Sequence, residues 1–224
     1  MSNRRWGWLG VALSLALVSI AGCGAEPNDE ATDRVDEALL GAAGGEPNLA
    51  AWQNIYSRWA FGQRQVPSDG NGNAVVGDVV LMPLPNTPGD GTPGSAAVTL
   101  NARQSFFLPL FTLLGTSYTD GTPPDPFEPV SIFATLDIKF SVDGSTLVDS
   151  RNVLRYFSKF EFHPTIPIDS PPIDAVIWLE GVSIFHGPLR PGSHTLKLDV
   201  KNTQPAFGGF IEFHNTWNIS VRHR

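Results

Sequence analysis

Cysteine is almost missing from this 224-residue chain, which has one, Cys23. A single thiol cannot close an internal disulfide or form a paired-thiolate metal site, so the fold must rest on apolar packing. Positive charge is also scarce. Fifteen Lys and Arg face 22 Asp and Glu, for a net charge of −7, and this excludes nucleic-acid binding that works by neutralising phosphates. The apolar stretch from Trp6 to Ala21 falls short of the roughly 18 to 20 residues a spanning helix needs. Hydrolase and zinc signatures are lacking too. Gly115-Thr-Ser117-Tyr-Thr119 fails the Gly-x-Ser-x-Gly elbow at its last position and has no helix to follow, and the usual zinc spacings do not occur.

What is present begins with a basic start at Arg4-Arg5, the apolar stretch, and then Ile20-Ala21-Gly22-Cys23. This order is that of an export signal. The tetrapeptide resembles the lipobox of bacterial lipoproteins, which implies cleavage before Cys23, acylation of its thiol and attachment to a membrane through the acyl chains. No basic patch suits anionic headgroups, so attachment rests on those chains. Gly24-Ala25 after the cysteine, with no aspartate, implies an outer-membrane address under the sorting rule of enteric bacteria. The expected organisation is a signal peptide over 1–22, a lipidated cysteine and flexible acidic linker over 23–49, and a single domain over 50–224. In the linker, Glu26, Asp29, Glu30, Asp33, Asp36, Glu37 and Glu46 are opposed by Arg34 alone and mixed with Gly41, Gly44 and Gly45. Self-repulsion and glycine keep such a segment extended.

From about Ala50 onward the pattern is that of strands, with short alternations cut by Gly, Pro, Asn and Asp. Ala134 to Val142 places Ala134, Leu136, Ile138, Phe140 and Val142 on one face. Asp143-Gly144 then tolerates the positive φ of a two-residue hairpin turn, with Thr146 to Val148 as the return. A second alternation, Tyr156 to His163, is expected to end at Pro164, which supplies no ladder donor. Ala175 to Leu179 reads as a central strand, Val182 to Phe185 as another, and Ser193 to Val200 as a third. Phe210 to His214 and Thr216 to Val221 supply the last strand or pair. Val75 to Leu81, Ala97 to Leu100 and Phe106 to Phe111 supply the early strands, and a short helix is expected around Trp52 to Phe61. Gly62 to Ala74, Pro83 to Ser95 and Ser117 to Pro129 read as loops. Eight or nine short strands without helical crossovers predict an all-β fold, an antiparallel β-sandwich or jelly roll. A membrane barrel is excluded, because its strands need long lipid-facing alternations with aromatic girdles.

Four segments in order, Ser57-Arg58-Trp59-Ala60-Phe61-Gly62, Phe106-Phe107-Leu108-Pro109-Leu110, Val142-Asp143-Gly144 and Leu189-Arg190-Pro191-Gly192-Ser193-His194-Thr195-Leu196, resemble a group of exported bacterial β-sandwich proteins. That resemblance implies fold and export, and brings no activity with it.

Candidate chemistry is sparse. Asp69, Asn71 and Asn73, with Asp78 beyond, alternate as the ligands of a calcium loop do, although Ala74 and Val80 stand where the loop glycine and bidentate glutamate belong. No cofactor is otherwise expected. Glu161 with His163 and Glu212 with His214 are each two apart on a predicted strand, so each pair leaves one face, and together they offer zinc-type ligands. Trp59 and Trp217 are candidate platforms for sugar rings, whereas Trp178, inside an apolar run, reads as core. The expectation is a lipid-anchored envelope protein whose domain binds a partner or serves a structural role without catalysis. A carbohydrate-active module, binding or hydrolysing envelope glycans, is the alternative, and a metal-dependent hydrolase is the third.

Overall fold

A computed structural model describes residues 47–202 and 210–223. Cys23, the lipobox and nearly all of the acidic linker lie outside the described residues. The domain opens with helix α1, Leu49–Ala60, whose first turn is capped by Asn48 Oδ1 accepting from the Ala51 N–H at 3.2 Å. Ten strands follow: β1 (Val75–Val76), β2 (Val79–Leu81), β3 (Asp90–Asn101), β4 (Ser105–Tyr118), β5 (Asp137–Val142), β6 (Ser145–Asp149), β7 (Phe157–Ser170), β8 (Ile173–His186), β9 (Gly192–Asn202) and β10 (Ile211–Arg222). They form two five-stranded sheets, ordered β1-β2-β4-β8-β7 and β3-β10-β9-β5-β6. The fold is all-β and sandwich-like.

Both sheets are mixed, where a purely antiparallel arrangement was expected. β3 runs parallel to β10, and β2 runs parallel to β4. Parallel neighbours are joined by long connections, so no local turn motif announces them.

The core follows from the pleat. On β4, Phe106 and Leu108 enter the main cluster between the sheets with Phe140, Leu198, Trp217 and Ile219. Phe107, one residue out of phase, packs with Trp52, Ile55 and Tyr56 of α1. The central strand β4 is thus buried on both faces, which is why Phe106-Phe-Leu-Pro-Leu-Phe111 reads as a continuous apolar run. Each fully buried aromatic or Leu there contributes roughly 1.5–3 kcal/mol.

Several boundaries differ from expectation for local reasons. Ala134 and Thr135 close a 3-10 turn, Val130–Thr135, and Tyr156 closes another, Val153–Tyr156, so the strands after them start later. Pro164 does not end β7. The strand runs on to Ser170 with a register shift between Glu161 and Ile166, and as an edge strand it can omit a ladder donor. The two expected strands of 175–185 are one, because Glu180-Gly181 continues the ladder, with Gly181 opposite Thr112 and Ser158. A Cβ at Gly181 would overlap the Phe111 carbonyl oxygen, so this glycine serves close backbone approach and makes no turn. Part of the expected loop Pro83 to Ser95 belongs to β3, and residues 211–222 form one strand. The hairpin is as expected, with Asp143 at φ 50° and Gly144 at φ 81° between β5 and β6.

Candidate functional site

The most unusual chemistry among the described residues lies where β8 meets the connection leaving β4. Trp178 and Glu180 are two apart on β8 and so leave the same face. Residues 119–129 are fastened over both. Phe127 stacks on the Trp178 ring at 4.8 Å, and the Trp178 indole N–H donates to the Asp125 carbonyl at 2.7 Å. The Glu128 N–H donates to Glu180 Oε1 at 2.8 Å. Asp125 is itself anchored, since its carboxylate accepts from the Thr116 N–H (2.9 Å), the Thr116 hydroxyl (2.7 Å) and the Tyr118 hydroxyl (3.1 Å). From β7, Lys159 Nζ sits 5.1 Å from the centre of the Phe127 ring. Gly115 lies opposite Trp178. A Cβ there would overlap the indole, so glycine at 115 makes room for it.

Glu180 is 0% exposed, and its Oε2 has no hydrogen-bond partner. Burial pushes its carboxyl above the ordinary range. The Glu128 N–H pulls it back, the Glu128 carboxyl raises it again, and Lys159 lowers it. Glu128 is raised as well, by burial and then by Asp125. Two carboxyls in one environment that both resist ionisation are a pattern found at catalytic sites. Here, however, Glu180 is sealed from solvent, so no external molecule reaches it while residues 119–129 stay in place. Its work in this arrangement is to hold an N–H of that connection.

The residues singled out in the sequence are scattered. Trp217 is 0% exposed and donates its indole N–H to the Pro83 carbonyl at 2.6 Å, which corrects its reading as a surface platform. Trp59 is partly buried and packs edge-on against Tyr56 at 5.3 Å. Trp178 is 5% exposed, as expected of core.

Glu161 and His163 approach each other at 3.3 Å on β7, and Glu212 and His214 at 3.2 Å on β10. The two pairs belong to different sheets and do not form one ligand set. His214 instead lies between Glu212 and Asp199 (2.7 Å), with Lys201 3.8 Å from Glu212. Its pKa is raised, first by the hydrogen bond to Asp199. Among the described residues no group of three or more His, Cys, Asp or Glu is placed to hold a metal ion.

The calcium reading of residues 69–78 meets the same outcome. The Asp69 carboxylate faces the Asn71 and Asn73 N–H groups (2.8 and 2.9 Å), Asn73 Nδ2 (3.0 Å) and Gln104 Nε2 (2.9 Å). Four donors fill its lone pairs with the wrong polarity for a cation. Burial raises this carboxyl, but the Gln104 and Asn73 amides and the two backbone N–H groups outweigh that and hold it at about 2. Asp78 is exposed and stands apart from this network, offering its backbone carbonyl to the Ser105 N–H at 3.0 Å.

Glu128, Asp125, Phe127 and Lys159 were not singled out in the sequence. The one available signal was Glu180, a lone charge inside the apolar run from Ala175 to Phe185.

No protein-family model and no curated protein matches the chain. Among solved structures, Plasmodium falciparum protein Pf12p shows 8% identity over 58% of this chain and 42% of that one, with a TM-score of 0.19, a similarity too low to support any argument about fold or function.

Proposed function

We propose that this is a lipid-anchored bacterial envelope protein, exported and acylated at Cys23, whose sandwich domain serves a binding or structural role without catalysis. The observation that carries the reading is the sequence Ile20-Ala21-Gly22-Cys23 after Arg4-Arg5 and a short apolar stretch, the order of a lipoprotein signal. The segment between Cys23 and the start of α1 is rich in Asp and Glu, a composition suited to a spacer. Among the described residues no helix is long and apolar enough to cross a membrane. A structural role for the domain is supported by the way Glu180, a buried carboxyl with a raised pKa, is engaged with a neighbouring loop.

Cys23→Ser tests the anchor directly. In cells expressing the full chain, the variant is expected to move from the membrane fraction to the soluble envelope fraction and to lose incorporation of labelled palmitate. Retention of the variant in membranes, or an unmodified wild-type amino terminus by mass spectrometry, overturns the assignment.

A further inference from the structure

The β8–β9 connection, residues 187–191, carries the chain from one sheet to the other, and buries Leu189 in the main core. Its fastening is His194, just inside β9. The imidazole is 14% exposed and stands between two groups from different segments. Nδ1 lies 2.6 Å from Asp143 Oδ2, in the β5–β6 turn, and Nε2 lies 2.7 Å from the Arg190 carbonyl oxygen, in the connection itself. Asp143 is fixed in turn. Its Oδ1 accepts from the Thr195 N–H and its own N–H donates to the Thr195 carbonyl, both at 2.9 Å.

Both groups facing the ring are acceptors only. Each ring nitrogen must therefore carry a hydrogen for both contacts to hold, and only the imidazolium does so. A neutral ring would turn a lone pair toward one of the two oxygens. The carboxylate is the better partner for the remaining N–H, so the Arg190 carbonyl is the one released. The charged groups near the ring are few. Asp143, from the turn, carries the charge that acts on it, and Arg190, from the connection, meets it through its carbonyl. On β10 the register partner is Ile219, and no titratable residue occurs between Asn215 and Val221.

We propose that His194 is a proton-operated clamp on the crossover between the two sheets. With both nitrogens protonated it ties residues 187–191 to the β5–β6 hairpin. When Nε2 gives its proton to solvent, it lets the Arg190 carbonyl go. The ring's pKa is raised from its ordinary 6.5, first by the hydrogen bond to Asp143 and then by the Arg190 carbonyl. A histidine whose folded pKa lies above its unfolded value stabilises fully below the unfolded value, and that stabilisation is lost as pH rises through the folded one. The clamp therefore opens on the alkaline side.

The test uses the full chain in detergent. Proton NMR follows the His194 Cε1–H through a pH titration, and hydrogen exchange, corrected for its intrinsic pH dependence, follows residues 187–195. The expected result is a midpoint above 6.5 with protection of 187–195 falling about tenfold across it. Asp143→Asn removes the carboxylate charge while keeping an acceptor for Thr195, and is expected to lower the midpoint and move the loss of protection with it. His194→Gln keeps one donor and does not titrate, so its protection is expected to be flat over the same window. A wild-type midpoint at or below 6.5, unchanged protection across the midpoint, or a step that survives in His194→Gln overturns the clamp.

Discussion

A carboxyl sealed from water destabilises a fold unless its oxygens find donors, and Glu180 finds one for Oε1 and none for Oε2. Its raised pKa fixes the sign of the pH effect. Above the unfolded value the folded protein holds a proton that the unfolded chain has already released, so this residue makes stability fall as pH rises through that window. Glu180→Gln keeps an oxygen for the Glu128 N–H and removes the charge. It is expected to raise stability at pH 7 by about 1 kcal/mol, roughly 2–4 °C in Tm, and the gain should vanish in urea titrations below the ordinary carboxylate range. The position was visible in the sequence as a charge among apolar neighbours. Its role was not, because Glu128 reaches it, and Phe127 covers the neighbouring Trp178, from a proline-rich loop about 50 residues away that has no periodicity of its own. Trp217 shows the converse. Trp217, Ile219 and Val221 alternate on one face of β10 and are all buried, so its placement was written in the local pattern. Asp69 was legible as a polar turn, but the Gln104 amide that completes its hydrogen bonds comes from another part of the chain.

Elements were legible where one face is wet. The Asp143-Gly144 hairpin and the β9 alternation needed nothing beyond period two and turn chemistry. Strands buried on both faces were harder, since an apolar run carries no phase and β8 looked like two pieces. Helix α1 explains why one sheet tolerates apolar residues on its outward side. Trp52 is 1% exposed and meets Phe107 at 6.1 Å and Phe185 at 5.4 Å, while Arg58 Nη2 donates to the Pro164 carbonyl at 2.7 Å and its guanidinium lies 5.5 Å from the Phe162 ring centre. The helix is a lid on that sheet. Trp52→Ala is expected to cost about 3–5 kcal/mol in urea unfolding and to raise binding of a hydrophobic dye, as the Phe107 face loses its cover.

For the molecule as a whole, with one cysteine and no internal crosslink, stability is apolar packing trimmed by charge. The acid limb is set by carboxylates whose pKa values are depressed, of which Asp69 is the lowest at about 2, while Asp143 is lowered first by its bond to His194. Depressed carboxyls stabilise above their unfolded value and lose that contribution as pH falls through the folded one. The Asp69 share is thus withdrawn between 3.8 and about 2, and Asp69→Ala is expected to move the midpoint of acid unfolding, followed by tryptophan fluorescence, to higher pH. An unchanged midpoint would show that the 68–74 loop adds nothing to the acid limb. Sheet membership was the least legible feature at this scale, because pairing between distant strands leaves no trace in either one. Its consequence is one of timing. Among the described residues β3 has a single sheet neighbour, β10, made more than a hundred residues later. A chain made amino end first presents β3 as a strand without a ladder, and that sheet can close only when the final stretch arrives. Until then the polypeptide presents an open edge, which makes the interval between those two strands the period of greatest exposure to aggregation.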